Sequence, residues 1–262
     1  MSKRSIKIMI TNGRGGVGKT NLAYSLAMVL GQLGYNTVAL DCDVSETLKR
    51  KLDKRRLWIE NDEPNIAPIK FDFNTCVFPP NIKTLKNKTR ELINARTASY
   101  DVAILDISGE FSAVQCNLAP LMDYIVMPIK AEETLLTSTL ESYALIVNSL
   151  IDEESLDEAD YPQISLARVM WEKSRLVTRE LQKIIDEEQK EYGFKLLSNV
   201  TSFKDAPYAK SDYFGVSILE ANKTGTSNDK NAGEKPAYEM MRVCKEILMD
   251  MGLADANMKK LK

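Results

Sequence analysis

Residues 11–30 read TNGRGGVGKTNLAYSLAMVL and contain four glycines close together. Residues 13–20 match the pattern G-x-x-x-x-G-K-[ST] of a phosphate-binding loop, which ends here in Lys19 and Thr20. In such a loop the backbone N–H groups surround a polyphosphate, the lysine reaches its β- and γ-phosphates, and the hydroxyl binds Mg²⁺. A turn without a ligand would need one or two glycines and no Lys-Thr pair, so the pattern indicates a nucleotide site.

The segments on both sides of this loop support that interpretation. Residues 5–11 (SIKIMIT) form an apolar run that predicts a short buried strand, and residues 19–34 have the apolar spacing of a helix packed on a sheet. The helix N-terminus would then present its open amides and the positive end of its dipole to the phosphates. The predicted nucleotide-binding residues are Gly13, Arg14, Gly15, Gly16, Val17, Gly18, Lys19, Thr20 and Asn21.

Composition limits the remaining possibilities. The chain has 262 residues, of which 44% are hydrophobic and 27% charged, and we expect a single domain over residues 1–262. Because the sequence contains no histidine, imidazole bases, Ser-His triads and histidine-bound metals are excluded. Any hydrolysis must therefore depend on carboxylates, lysine, arginine and a bound cation.

Cysteine spacing and hydropathy indicate the cellular compartment. The four cysteines form no C-x-x-C pair, which favours a reducing environment over a disulfide scaffold. The N-terminus shows no apolar signal core, and no run of about 18 apolar residues is present. We therefore expect a soluble, cytoplasmic protein. The net charge of −2 means that any binding to DNA must come from a local patch.

Strand and helix patterns alternate along the chain. Strands are predicted at 37–41, 102–107, 124–129, 164–170 and 195–200, with an extended segment over 66–80. Helices are predicted at 81–98, 132–150 and 173–192, and a final helix is expected to begin at Pro236 after a surface loop at 225–234. This alternation predicts an α/β fold with a doubly wound, mostly parallel sheet and helices on both faces, whose ligand binds at the carboxyl ends of the strands.

Three aspartates lie where predicted strands end. Asp41 and Asp43 follow the second strand, and Asp106 ends the run VAILD. An aspartate in this position beside a phosphate-binding loop can hold Mg²⁺ or its water shell, and a second one can orient the attacking water. The alternative is that each is an ordinary turn residue, since aspartate is common at strand ends.

Four segments together resemble the ParA/MinD superfamily of deviant Walker-A ATPases: RGGVGKT at 14–20, VALDCDVSE at 38–46, YDVAILDIS at 100–108 and DYIVMPIKAEE at 123–133. The chain length and segment 192–220 are most similar to ParA-type partition ATPases of plasmids and mobile elements. The resemblance implies a P-loop ATPase that uses ATP and Mg²⁺. It places Lys19 and Thr20 on phosphate and Mg²⁺, makes Asp43 the carboxylate that orients water, and associates Asp106 with Mg²⁺.

From the same resemblance, the implied metal site comprises Thr20, Asp43 and Asp106, and the implied catalytic residues are Asp43, Lys19 and Arg14. The sequence departs from the family pattern at Arg14, where members usually carry the lysine that reaches the partner's nucleotide across an ATP-sandwiched dimer. Arginine can neutralise phosphate in the same way. The alternative is an exposed loop arginine without such a role.

Other departures concern the loops around the nucleotide. Family members usually have a proline after the aspartate that corresponds to Asp43, where this chain has Val44. They usually have a pair of prolines shortly after the aspartate that corresponds to Asp106, where this chain has Ser108 and Gly109. Many members have an asparagine for the adenine edge where this chain reads Met-Trp-Glu at 170–172. Trp171 is thus either a core aromatic or a residue that stacks on the base.

Charge clusters indicate possible DNA contacts. Six cations lie at 49–56 against Asp53, and a second group follows. These could hold DNA phosphates without reading sequence, or they could form a solvated helix face. An acidic segment at 152–160 would not favour DNA. The first group comprises Lys49, Arg50, Lys51, Lys54, Arg55 and Arg56, and the second comprises Lys83, Lys86, Lys88 and Arg90.

Four functions are compatible with these features. The first is a partition ATPase that dimerises on ATP, binds DNA non-specifically, associates with the nucleoid when ATP-bound, and is stimulated by a ParB-like centromere-binding partner. The second is a MinD-like positioning ATPase, but the tail at 254–262 lacks the apolar face of a membrane anchor, so we expect no stable membrane association. The third is a metabolic enzyme or a reductase with an iron–sulfur cluster, and the fourth is a regulatory nucleotide-binding protein with weak hydrolysis.

Overall fold

The computed structural model describes residues 4–61, 66–76, 78, 86–107, 113–153, 156–171, 176–202, 205–221 and 227–253. Seven strands form one sheet: β1 Ile6–Ile10, β2 Thr37–Cys42, β3 Asp72–Thr75, β4 Val102–Ile107, β5 Tyr124–Ile129, β6 Gln163–Arg168 and β7 Lys195–Val200. Their order across the sheet is β3-β2-β4-β1-β5-β6-β7, and neighbouring strands run parallel. The predicted parallel α/β fold is therefore confirmed.

The helices connect the strands on both faces of the sheet. They are α1 Lys19–Leu33, α2 Thr47–Glu60, α3 Lys86–Thr97, α4 Ala113–Leu118, α5 Glu133–Ile151, α6 Leu176–Tyr192, α7 Asp205–Phe214 and α8 Ser227–Asp250. Short 3-10 helices lie at Ala119–Leu121, Glu158–Asp160 and Ile218–Glu220. Because consecutive side chains of a strand point to opposite faces, the sheet has two apolar cores. One packs against α1 and α8, and the other against α3, α4, α5 and α6.

The central strands bring the acidic and phosphate-binding segments to one edge of the sheet. In the register, Ile10 of β1 and Asp41 of β2 both lie beside Asp106 of β4. The loop that follows β1 and the turn that follows β2 therefore meet at the carboxyl ends of adjacent strands, where a doubly wound fold binds its ligand. All six residues of β4 are buried, as its apolar sequence predicted.

Several elements differ from the sequence-based prediction. The basic stretch at 49–56 lies within one helix, α2. Helices α4 and α7 were not predicted. The first has only six residues and the second has Pro207 near its start, so both show little apolar periodicity. The predicted loop at 225–234 was wrong over most of its length, since α8 begins at Ser227 and contains Pro236. Proline removes one helical hydrogen bond, but buried residues farther along α8, including Met240, Val243 and Ile247, hold the helix on the core.

Parts of other predictions lie outside the described residues. These are residues 81–85 and 173–175 at the starts of two predicted helices, the Ser108-Gly109 pair, Lys83, Glu154, Glu172 and the tail at 254–262. All four cysteines are free thiols.

Candidate nucleotide-binding site

The first part of the phosphate-binding loop is fixed by α5. Asn12 is fully buried, and its Nδ2 donates to the carbonyl of Pro128 at 2.8 Å and to Thr139 Oγ1 at 2.6 Å. Its Oδ1 accepts the N–H of Arg14 at 3.0 Å. A Cβ on Gly13 would lie 2.2 Å from Ser142 Oγ, so only glycine fits between the loop and α5. Sequence reasoning missed Asn12, whose position directly after a buried strand was its only signal.

The second part of the loop is open. A Cβ on Gly15 or Gly16 would meet no atom within 4 Å. Gly16 and Gly18 have φ of 75° and 89°, a left-handed conformation that favours glycine. Gly18 is the N-cap of α1, so the open N–H groups of that helix follow directly. Arg14 is exposed, whereas the side chain of Val17 is fully buried.

Lys19 lies inside the loop that precedes it. Its side chain is almost completely buried, and Nζ donates to the carbonyl of Arg14 at 2.7 Å. Burial lowers the pKa of the Lys19 ammonium, although the carboxylates of Asp106 and Asp43 act in the opposite direction. A buried ammonium with this environment favours an anionic ligand, because a phosphate would stabilise its charged form.

Asp106 presents a carboxylate oxygen that suits a hydrated cation. The residue is 1% exposed, and its Oδ2 accepts no hydrogen bond from the part of the chain that the structure describes. Burial raises the pKa of Asp106 to about 7, against the opposing effects of a hydrogen bond with Thr20 and of the Lys19 charge. A buried oxygen without a donor is costly. Mg²⁺ with its water shell would satisfy it, so Thr20 and Asp106 fit a magnesium site.

Asp41 and Asp43 have different environments. Asp41 is fully buried, and its two oxygens accept the N–H groups of Asp43 at 3.1 Å and Lys49 at 2.9 Å. Asp41 therefore fixes the turn between β2 and α2. Asp43 is half-buried, and its Oδ1 accepts from the N–H and the hydroxyl of Ser45 at 2.8 and 2.7 Å. Asp43 lines the cleft described next, whereas Asp41 acts through the backbone of the turn.

The loop opens into a cleft of about 370 Å³ between the sheet edge, α2 and α7. Six predicted loop residues line it, but Gly13, Arg14 and Val17 do not. Met170 and Tyr208 also line this cleft, and they are the apolar and aromatic side chains among its lining residues. Trp171 is 3% exposed and packs in the core, which resolves the two alternatives left open for it. The lining comprises Gly15, Gly16, Gly18, Lys19, Thr20, Asn21, Asp43, Ser45, Thr47, Lys51, Met170, Tyr208 and Asp212.

The first cationic group is divided between the interior and the surface of the protein, so neither alternative, a DNA contact or a solvated helix face, applies to all six of its residues. Lys51 and Arg55 are buried. Arg55 forms an ion pair with Glu220 at 2.7 Å and donates to Tyr24 Oη at 3.0 Å. Helical periodicity explains this result, because residues four positions apart lie on the same side of α2, and that side faces α7 and the 3-10 helix at Ile218–Glu220. Arg50, Lys54 and Arg56 remain exposed.

The second cationic group is partly neutralised within the fold. Lys86 and Arg90 of α3 both form ion pairs with Glu153, at 2.6 Å in the case of Lys86. Glu153 belongs to the acidic segment, so one basic and one acidic cluster of the sequence contact each other. Lys88 is exposed on the same helix. Pairing of this kind leaves fewer free cations than the sequence suggested.

The family of the chain follows from a comparison with known proteins. Residues 8–212 match the model of the CobQ/CobB/MinD/ParA nucleotide binding domain. The chain belongs to this family. The matched region contains the loop, the three aspartates and α7 as far as Asp212, so the residues that line the cleft belong to the family domain.

Individual relatives include both partitioning and septum-site proteins. The chain is 27% identical over 138 residues to the chromosome-partitioning ATPase Soj of Thermus thermophilus, which is 48% of this chain and 55% of Soj. It is 51% identical over 37 residues to a putative septum site-determining protein MinD of Guillardia theta, 14% of each chain. The chain spans 14% to 66% of the length of the curated relatives that it matches.

Solved structures confirm the fold. A structure of pnob8 ParA superposes with a TM-score of 0.64 at 14% identity, covering 95% of this chain and 99% of that one. At this identity the likeness concerns the fold alone. In the described parts of the chain, each helix is too short or too polar to span a bilayer.

Proposed function

We propose that this protein is a partition ATPase that forms a nucleotide-sandwich dimer, binds DNA non-specifically, and hydrolyses ATP slowly under stimulation by a centromere-binding partner. The main support is the contrast within one loop. Lys19 is buried beside acidic groups in the cleft, whereas Arg14 is exposed and outside the cleft lining. A second cation in the loop is unnecessary for one nucleotide, so Arg14 suits the nucleotide of a second subunit.

The proposed reaction divides the chemistry among the residues of the cleft. The backbone N–H groups of the loop and the Lys19 ammonium bind the phosphates of ATP. Thr20 and Asp106 would hold Mg²⁺, which would neutralise charge on the phosphate oxygens. Asp43 accepts a hydrogen bond from the attacking water, whose oxygen bonds to the γ-phosphorus while the β–γ bridge breaks to give ADP and phosphate.

The DNA-binding part of the proposal rests on the cations that remain exposed. Arg50, Lys54 and Arg56 lie on α2 and Lys88 lies on α3. Exposed cations of this kind bind phosphates without reading bases, and the affinity falls with salt. A dimer would present the exposed cations of α2 and α3 twice. Once one subunit is bound, the second is held at a high effective concentration near the same DNA, so the dimer binds DNA more tightly than the monomer.

Light scattering with a non-hydrolysable ATP analogue tests the dimer. We expect Lys19→Ala to lower nucleotide affinity by at least about tenfold, because a charge-assisted contact is lost. Arg14→Ala should bind the analogue within about twofold of the parent, as expected for an exposed charge, but should fail to dimerise. Arg14→Lys should restore dimerisation, and Arg179→Ala, which removes an exposed arginine of α6, is the matched control.

Two results would contradict the proposal. Dimerisation of Arg14→Ala at the parental concentration would remove the sandwich role of this residue. Equal DNA retention with ADP and with the ATP analogue would remove nucleotide-controlled DNA binding.

A MinD-like membrane role is the second candidate. It is favoured by the similarity of 37 residues to a putative septum site-determining protein MinD. Flotation with liposomes of anionic lipid, in the presence of ATP and DNA, distinguishes the two. A MinD-like protein would float with the liposomes, whereas a partition ATPase would stay with the DNA at the bottom of the gradient.

A further inference from the structure

The cleft contains a lysine from α2 that the proposed reaction does not use. Lys51 is 5% exposed and lines the same cleft as Lys19. Its Nζ donates to Ser211 Oγ at 2.8 Å and forms an ion pair with Asp212, so it joins α2 to α7. The two helices fit closely here, because a Cβ on Gly215 would lie 2.0 Å from the carbonyl oxygen of Lys51.

The two partners of this ion pair are unequally buried. The side chain of Lys51 is 6% exposed and that of Asp212 is 68% exposed. A buried ammonium needs an anion, whereas an exposed carboxylate can exchange its partner for water at little cost. Burial lowers the pKa of Lys51, and Asp212 opposes this effect. Asp212 is therefore a replaceable partner for a cation that faces a phosphate-binding cleft.

We propose that nucleotide phosphate competes with Asp212 for Lys51. This inference rests on the proposed nucleotide binding and adds a regulatory contact to it. A polyphosphate carries more negative charge than one carboxylate, so it would take over the ammonium of Lys51 once it is bound in the cleft. The pair between α2 and α7 would then open as the nucleotide binds.

The opening would be transmitted to the outer surface of the two helices. Trp58 of α2 packs against Tyr213 and Phe214 of α7, with ring centroids 5.7 and 5.1 Å apart. Tyr213 is 62% exposed. Tyr213 follows Asp212 directly in sequence, so these aromatic contacts adjoin the Lys51 pair, and its opening would change the packing between the two helices.

Titration with fluorescent ADP tests the competition. Asp212→Asn removes the competing charge, and because this side chain is mostly exposed the variant should fold. We expect its ADP affinity to rise by about three- to tenfold, the effect of one charge-assisted contact. Glu60→Gln is the matched control, since Glu60 lies at the far end of α2 with a side chain 61% exposed, and its affinity should equal that of the parent.

The double-mutant cycle completes the test. Lys51→Met should weaken ADP binding by about tenfold, and Asp212→Asn should have no effect in that background. An unchanged or weaker affinity in Asp212→Asn alone would overturn the competition, even where Lys19→Ala still weakens nucleotide binding as expected. If the parental protein binds no ADP, it is the proposed nucleotide function that fails.

Discussion

The two halves of the phosphate-binding loop use glycine for opposite reasons. In the first half, Gly13 lies against Ser138 and Ser142 of α5, and Asn12 beside it is fully buried with three hydrogen bonds. In the second half, a Cβ added at Gly15 or Gly16 would have no neighbouring atom within 4 Å. One half is packed like a core and the other is open to a ligand.

This difference separates anchoring from binding. Close packing of Gly13 and Asn12 fixes where the loop starts, because interiors tolerate little change of volume and buried polar groups need their partners. The open half depends on that anchor for its position but adds little to stability. Substitutions of Gly13 or Asn12 should therefore lower stability and nucleotide affinity together, whereas substitution of Gly15, which meets no neighbouring atom, should change affinity alone.

Gly13→Ala is expected to have the largest effect. The added carbon would lie 2.2 Å from Ser142 Oγ and 3.0 Å from the Ser138 carbonyl oxygen, so α5 or the loop must move. Overpacking of this kind costs about 3 kcal/mol of unfolding free energy, which urea denaturation would measure. The double variant with Ser142→Ala should recover part of the loss. A stability equal to the parent would mean that the first half is not packed tightly.

Asn12→Ala should cost about 2 kcal/mol, because the Pro128 carbonyl, Thr139 Oγ1 and the Arg14 N–H each lose a partner. Asn12→Asp is the sharper variant. It retains an acceptor for Arg14 but places a second oxygen against the Pro128 carbonyl, so it should be at least as unstable as the alanine variant. Thermal unfolding of both variants would measure the difference. Parental stability in Asn12→Asp would show that Nδ2 contributes nothing.

Glu246 is a hydrogen-bonding anchor like Asn12, but it is only partly buried and lies far from the loop. Glu246 of α8 accepts the N–H groups of Ser198 at 2.6 Å and Asn199 at 2.8 Å. Partial burial raises the pKa of Glu246, but the hydrogen bonds from Asn199 and Ser198 outweigh this and leave the pKa below its ordinary value of 4.5. The stabilisation is therefore present above that value and is lost as the pH falls through the lower pKa of the folded state.

We expect Glu246→Gln to be less stable than the parent by about 1 kcal/mol near pH 7, with the difference shrinking below about pH 4 as the parental carboxylate is protonated. Urea unfolding at both pH values would measure it. Nucleotide affinity should not change, so this variant shows whether lost stability by itself weakens binding. A difference that grows on acidification would contradict the assignment.

Gly15→Ala should have the smallest effect on stability, within about 0.5 kcal/mol, because its added carbon meets nothing. Its methyl group would stand in the cleft, so the affinity for ADP should fall, as fluorescence titration would show. A loss of stability as large as that of Gly13→Ala would end the distinction between the two halves.

Local patterns predicted the parts of the fold that repeat a simple rule. The apolar strands β1, β2, β4 and β5 were all found within two residues of their predicted bounds, because strands buried on both faces need continuous apolar runs. The loop and Lys19 were predicted from spacing, and Asp106 from its position at the end of a buried strand. Asn12, Tyr208 and Asp212 were not, since each reaches the loop or the cleft through contacts with segments distant in sequence.

The sequence by itself determined the phosphate-binding loop and the parallel sheet, because short-range spacing and periodicity encode them, and its four motif segments carried the resemblance to the family. Only the tertiary structure decided which charges are available. Lys51 and Arg55 belong to a strongly basic stretch, yet helix geometry turns both towards the protein, where Asp212 and Glu220 pair with them. Burial and pairing depend on which segments meet in space, and charge spacing along one helix does not specify its partners.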